Sequence, residues 1–309
     1  VMSNFYGSYI GFGAGTTGGA TGNFYQATNY GYAMGGGPGP YDARVQKYSL
    51  TAATDATNVG DMTQDMAFCR GVSSATYGYR CGGGYPLTNV IDKTSFAADG
   101  ICEDIGNLQA STSDSCCSSA EAYGFSATGY PQTDRIDKID FSSDGDATDH
   151  GNISSTRYGA SGHGSLTDGY ATGGHPVGTQ RDKYAHSSNT TSVDDGDMTS
   201  GKQNYGDACS SAEYGYTFGG SDPGGGYSSV IDKYAFASGG TASAVSTTVY
   251  AGQAALSSLS TPAYGYRAAA GTPGMSDMIE RWDFASDGDS VDTDANMMGA
   301  RAYGASVQY

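Results

Sequence analysis

A Tyr-Gly-Tyr-x-x-Gly-Gly pattern begins at Tyr30, returns at Tyr77, persists in weaker form at Tyr123 and Asp168, and is restored at Tyr214 and Tyr264. A self-similar period of roughly 46 residues means that one small structural unit is written six times, and such units bury their apolar faces only against one another. The units run 30–76, 77–122, 123–167, 168–213, 214–263 and 264–309. They tile the chain from residue 30 to its last residue.

A second signature follows each anchor by some fifteen residues. It starts at Val45, Ile91, Ile136, Arg181, Ile231 and Ile279, and its third place always holds a cation: Lys47, Lys93, Lys138, Lys183, Lys233 and Arg281. In Ile136-Asp137-Lys138-Ile139-Asp140-Phe141 the Ile136 and Phe141 side chains fall on opposite faces of a strand, because side chains alternate with period two. Both faces must then be covered. Asp99-Gly100, Asp144-Gly145 and Asp287-Gly288 follow this strand as turns, since glycine accepts positive φ without steric cost. The fifth unit serves the same need with Gly239-Gly240.

Each unit thus reads as four short strands, with a small-residue strand such as Tyr158-Gly159-Ala160-Ser161 ahead of the Gly-Gly strand. Blades covered on both faces and packed radially form a β-propeller. The expected fold is all-β, a propeller of six blades of four antiparallel strands, with seven blades as the alternative. Asn23 to Thr28 and Arg301 to Ser306 both resemble the small-residue strand, and one of them is expected to close the ring. Residues 1–29 are then expected to form a Gly-rich arm or the closing strand.

Composition alone points elsewhere, which is why the repeat matters. Leu, Ile, Val and Phe make up only about an eighth of the chain and the net charge is −17, a pairing that normally marks disorder. The 25 Tyr residues supply the missing buried area, and the 49 Gly residues suit tight turns and crowded strands. With 15 basic against 32 acidic residues there is no stripe to neutralise phosphates, so nucleic acid is not an expected partner. No apolar run is long enough to span a bilayer, and the first residues lack the basic and apolar regions of a signal peptide.

The Gly-Gly pair and the aromatic-bearing strand after it resemble kelch-type propellers. The signature strand with its Asp-rich turn, as at Ile136 to Asp149 and Ile279 to Asp289, is similar to propeller-like repeats in virion proteins of marine bacteriophages. The likeness covers residues 30–309 and departs from kelch repeats in having a single Trp, Trp282. It implies a structural or host-contacting part of a phage particle, located in the virion and assembled in the host cytoplasm.

Little in the sequence asks for catalysis. A cation repeated in every unit is better suited to holding units together, by ion pairing or by stacking on Tyr, than to an anion site. Asp287, Asp289, Asp292 and Asp294 offer oxygen ligands of the type Ca²⁺ takes but lack the spacing of an EF-hand loop, so turn chemistry is their expected role. His150, His163, His175 and His186 fall in different contexts, with no paired spacing for zinc or copper. Gly13 to Gly18 matches a dinucleotide fingerprint by glycine abundance alone, without the flanking strand and helix. The six cysteines form no framework and are expected as reduced, buried thiols; no cofactor is expected.

What varies while its flanks repeat is the loop between the Gly-Gly strand and the signature strand. These loops carry Tyr41, Tyr85, Tyr130, His175, Tyr227 and Met275, most of them beside Pro, and all six emerge on one face of a propeller. Aromatic and Gly-rich loops on a rigid scaffold suit recognition of sugars or proteins. The expected function is a non-enzymatic virion component, a tail fibre or particle-surface appendage, whose loop face contacts the host surface or neighbouring virion proteins. A homo-oligomer and a host glycan or protein are the expected partners, without membrane insertion. A secreted kelch-like carbohydrate-active enzyme or lectin is the first alternative, and a bacterial extracellular adhesin or filament subunit the second.

Overall fold

The computed structural model describes residues 26–37, 40–199, 204–221, 224–252, 257–271 and 274–308. Its strands are β1 (Tyr30–Met34), β2 (Asp42–Ser49) and β3 (Thr57–Met66), followed by β4 (Arg70–Ser73), β5 (Tyr77–Gly83), β6 (Thr88–Ser95) and β7 (Glu103–Asn107). The third group is β8 (Cys116–Ser119), β9 (Tyr123–Ala127), β10 (Thr133–Asp140) and β11 (Thr148–Arg157). The fourth is β12 (Ser161–Gly164), β13 (Asp168–Thr172), β14 (Gln180–Ala185) and β15 (Val193–Asp197). Then come β16 (Asn204–Ser210), β17 (Tyr214–Ser221), β18 (Val230–Ala235) and β19 (Ser243–Thr247). The chain ends with β20 (Ser257–Ser260), β21 (Tyr264–Ala270), β22 (Ser276–Asp283), β23 (Val291–Asn296) and β24 (Ala305–Gln308).

These strands form six antiparallel four-stranded sheets, each in sequential order except the first, which runs β24-β1-β2-β3. The protein is a six-bladed β-propeller. The last strand of the chain supplies the innermost strand of blade 1, with Tyr32 opposite Val307 and Met34 opposite Ala305. Of the two closing segments expected from sequence, the C-terminal one therefore closes the ring. From the other, Gln26 donates its side-chain amide to the Ser210 and Thr261 carbonyls, and the Ala27 N–H donates to Ser260 O. Residues 1–25 of the expected arm, including the glycine run at 13–18, lie outside the described residues.

Blades are offset by one strand from the sequence repeat. The Tyr-Gly-Tyr anchor is the second strand of a blade, and the innermost strand is the tail of the preceding unit. In the fourth blade that strand is Ser161–Gly164 rather than the stretch from Tyr158, because a run of small residues carries no periodicity that marks its ends.

The repeated residues make the contacts between blades. The anchor glycine is a seat for the large side chain of the third strand: a Cβ on Gly169, Gly215 or Gly265 would lie 2.3, 2.4 or 2.3 Å from the rings of Tyr184, Tyr234 and Trp282. Trp282 is 2% exposed and occupies the place that Tyr48, Tyr184 and Tyr234 fill in other blades. The Tyr48 and Tyr184 hydroxyls reach Ser257 and Ser118, each on the inner strand of the preceding blade, at 2.9 Å. Where the third strand instead has Thr94 or Ile139, Val307 or Val72 from the preceding inner strand presses against the seat at Gly78 or Gly124.

The fourth strand packs forward. Gly60, Gly106 and Gly196 would each place a Cβ within 2.4 Å of a carbonyl oxygen in the next blade's turn, at Gly100, Gly145 and Gly240. Two residues earlier, Asp104, Asp149 and Asp194 accept the N–H of Gly106, Gly151 and Gly196, forming an Asx turn beside the third strand.

Candidate recognition face

The acid-cation pair of the signature strand works in two directions. The acid reaches back: Asp92 accepts from Thr63, Asp137 from Gln109, Asp182 from Arg157, Asp232 from Thr199 and Glu280 from Val249, in each case a residue of the preceding blade. Gln46 closes this circle by accepting the Met298 N–H at 2.8 Å. Buried Arg80 also pairs with Asp92, both side chains fully shielded.

The cation reaches forward. Lys47, Lys93 and Lys233 pair with Asp99, Asp144 and Asp287 in the next blade's turn at 3.3, 2.7 and 2.7 Å. They also lie over the anchor rings of Tyr30, Tyr77 and Tyr214. Lys138 and Arg281 face blades whose turns hold Asn189 and Ala53 at that place, and they sit over Tyr123 at 4.0 Å and Tyr264 at 4.7 Å. Lys183 has Asp168 in place of the anchor Tyr and pairs with Asp195 of its own blade at 3.1 Å.

Three of the four acids singled out as calcium candidates have their carboxylates engaged by the protein itself. Asp287 takes Lys233, Asp289 accepts the Thr247 N–H and hydroxyl, and Asp292 accepts the Asp294 N–H. Among the described residues no group of three or more His, Cys, Asp or Glu is placed to hold a metal ion. All six cysteines are free and buried. His163 and His186 are packed into the blades, where burial holds them at about 3 and about 4, Arg181 adding to the effect on His163. His150 donates its Nε2–H to the Ala185 carbonyl at 2.8 Å.

The loops between second and third strands share one face with the loops that lead from each fourth strand to the next inner strand. Bridges at Ala67–Gly84, Ser113–Tyr130 and Tyr158–His175 join the two sets. Two residues before each of four inner strands stands a residue in the left-handed region, Tyr303, Phe68, Asp114 and Gly159, and Tyr205, the second residue of β16, shares that conformation. Their backbones are linked in sequence around the axis, Phe68 N–H to Tyr303 O, Asp114 to Phe68, Gly159 to Asp114 and Tyr205 to Gly159, at 2.7 to 2.9 Å. This collar sits at the mouth of the central channel and turns its side chains onto the loop face.

On that face the rings of Phe68 and Tyr303 approach to 4.5 Å and those of Tyr205 and Tyr303 to 5.4 Å. The sequence-predicted rim is brought into this cluster on four blades. Tyr41 stacks on Tyr85 at 5.7 Å, Tyr85 meets Phe68 edge-on at 5.6 Å, Tyr130 meets Tyr158 at 5.7 Å, and His175 lies 5.4 Å from Tyr158. Tyr227 and Met275, on blades 5 and 6, make no ring contact among the described residues; Tyr227 is exposed and Met275 half-buried.

Between these rings is a cavity of about 330 Å³, at the lower end of the range for small-ligand pockets. Its aromatic walls are Phe68, Tyr85, Tyr130, Tyr158 and Tyr205, and its charged group is Asp114. Asp114 is 6% exposed; Ser113 donates its hydroxyl to Oδ2, while Oδ1 is buried and accepts no hydrogen bond among the described residues. Burial pushes its pKa up to about 6, against the attraction of Arg70 and the Ser113 hydrogen bond. Burial, with Asp114 nearby, also raises the Tyr205 phenol.

Sequence reasoning missed Phe68, Asp114, Tyr158, Tyr205 and Tyr303. The available signal was the Tyr-Gly pair that precedes small residues at Tyr158, Tyr205 and Tyr303. No family model matches this chain, and no curated protein matches it. Fold and site together define a six-bladed propeller with an aromatic-walled cavity on one face.

Proposed function

We propose that this chain is a non-enzymatic recognition module that binds its target through the loop face bearing Tyr85 and Tyr130. The observation that carries the reading is the convergence of five aromatic walls from four blades on one cavity, with Tyr85 and Tyr130 left 65% and 54% exposed. Rigid strands position those rings, and exposed aromatic groups of this kind provide contact area at low entropic cost. Lys47, Lys93 and Lys233, with the turn acids Asp99, Asp144 and Asp287, are by contrast engaged in holding neighbouring blades together.

The resemblance of the signature strand and its turn to marine phage virion repeats supports a place on a particle, as a tail fibre or surface appendage. Host-surface glycan or protein is then the target, and other virion proteins are the neighbours. The direct test is binding of the labelled chain to glycan arrays and to candidate host cells. Binding that falls at least about ten-fold in both Tyr85→Ala and Tyr130→Ala, with circular dichroism unchanged, is the expected result. Undiminished binding by both variants would overturn the assignment of this face.

A further inference from the structure

We infer that the cavity on the loop face is a cage for an organic ammonium group, an inference that rests on that face being the recognition surface. Its walls are aromatic faces set at steep angles: 66° between Phe68 and Tyr85, 56° between Phe68 and Tyr205, and 77° between Tyr130 and Tyr158. Rings inclined to one another in this way offer a small guest contacts from several sides, and any ring face it meets is the negative face of a π system. Among the described residues no Lys or Arg lines the cavity.

The second observation is independent of the rings. Asp114 lines the same cavity, is 6% exposed, and keeps Oδ1 buried without a hydrogen bond among the described residues. A buried carboxylate oxygen without a partner is costly, and a cation brought into the cavity would offset part of that cost. Arg70 attracts Asp114 from the neighbouring inner strand but lines the channel rather than the cavity. An anion would meet a carboxylate and π faces, so phosphate, sulfate and carboxylate ligands are disfavoured. The ligand chemistry that fits is a protonated or alkylated amine on a compact, otherwise uncharged body.

Isothermal titration of the folded chain with two matched pairs tests this: choline against its neutral isostere 3,3-dimethylbutan-1-ol, and glucosamine against glucose. At least one cation is expected to bind roughly ten-fold more tightly than its neutral partner. The tighter of the two cations tells an alkylated ammonium source from an amino sugar. Asp114→Asn is expected to abolish most of that difference while leaving the neutral compounds unchanged, and Tyr158→Ala to weaken every compound that binds. Equal binding within both pairs, a preference untouched by Asp114→Asn, or no binding of either cation would overturn the cage. If the arrays and cells are still bound in a Tyr85-dependent way, the recognition face stands without the cage. If that binding is also absent, both fall.

Discussion

The Lys93 ammonium of the second blade lies 2.7 Å from the Asp144 carboxylate in the turn of the third. Its neighbour Asp92 accepts from Thr63 of the first blade. Two consecutive residues therefore tie one blade to both of its neighbours, which gives a physical reason for an acid-cation pair in a repeat of this kind.

Replacing Lys93 by Met should lower stability by about 0.3–1 kcal/mol, because the pair is partly exposed and its Tyr77 contact adds little more. Urea denaturation at low and at about 0.5 M salt checks this: the loss should shrink as salt screens the pair. Lys138→Met, which removes a contact with Tyr123 and no close ion pair among the described residues, should show a smaller salt dependence.

Gly106→Ala should cost about 2–4 kcal/mol, since its φ of +153° is poorly suited to alanine and its Cβ would lie 2.3 Å from the Gly145 carbonyl oxygen. Gly100→Ala places its Cβ in open space and should change stability by less than about 0.5 kcal/mol. Thermal melts of the two variants compare them directly. Equal losses would show that the blade-to-turn contact does not set the requirement for glycine.

Acidification should destabilise the protein between pH 6.5 and about 4. His163 and His186 have folded pKa values depressed to about 3 and about 4, so in that window the unfolded chain binds more protons. Their contribution is complete above the unfolded value and is lost as pH falls, about 5 kcal/mol together by pH 4.5, of which the raised Asp114 carboxyl offsets about 2 kcal/mol. His186→Phe, which keeps the stack on Phe125, should make the slope of stability against pH shallower by about one proton. An unchanged slope would show that His186 does not titrate on unfolding.

The scaffold was legible where neighbouring blades demand a residue type. Gly169 must admit the Tyr184 ring, Asp144 must meet Lys93, and Gly106 must clear a carbonyl, so these positions repeat and the blades could be counted. The collar was hidden because its blades share a backbone conformation rather than a side chain: Phe68, Asp114, Gly159, Tyr205 and Tyr303 have only left-handed φ in common. Tyr41, Tyr85, Tyr130 and His175 stand out in the sequence because their loops vary between fixed flanks. Their partners Phe68, Tyr158 and Tyr205 enter from a different set of loops, and only the closed ring brings the two sets together.

Asp114→Asn should stabilise the protein at pH 7.5 by about 1–3 kcal/mol. A carboxyl whose pKa is raised from 3.8 to about 6 contributes fully below pH 3.8 and loses that contribution as pH rises through 6. The gain from asparagine should therefore disappear in melts near pH 4. A variant that is more stable yet binds ligand less well would mark Asp114 as a residue kept for binding at the expense of stability.

Electron cryo-microscopy of the native assembly that carries this chain tests the recognition face most directly. The expected map places the propeller with Tyr85 and Tyr130 on the outward surface and its opposite face, which bears the Asp144 and Asp287 turns, towards the body of the particle. A map in which the Tyr85 and Tyr130 rim is buried against other structural proteins would contradict it, and would make the aromatic face an assembly contact.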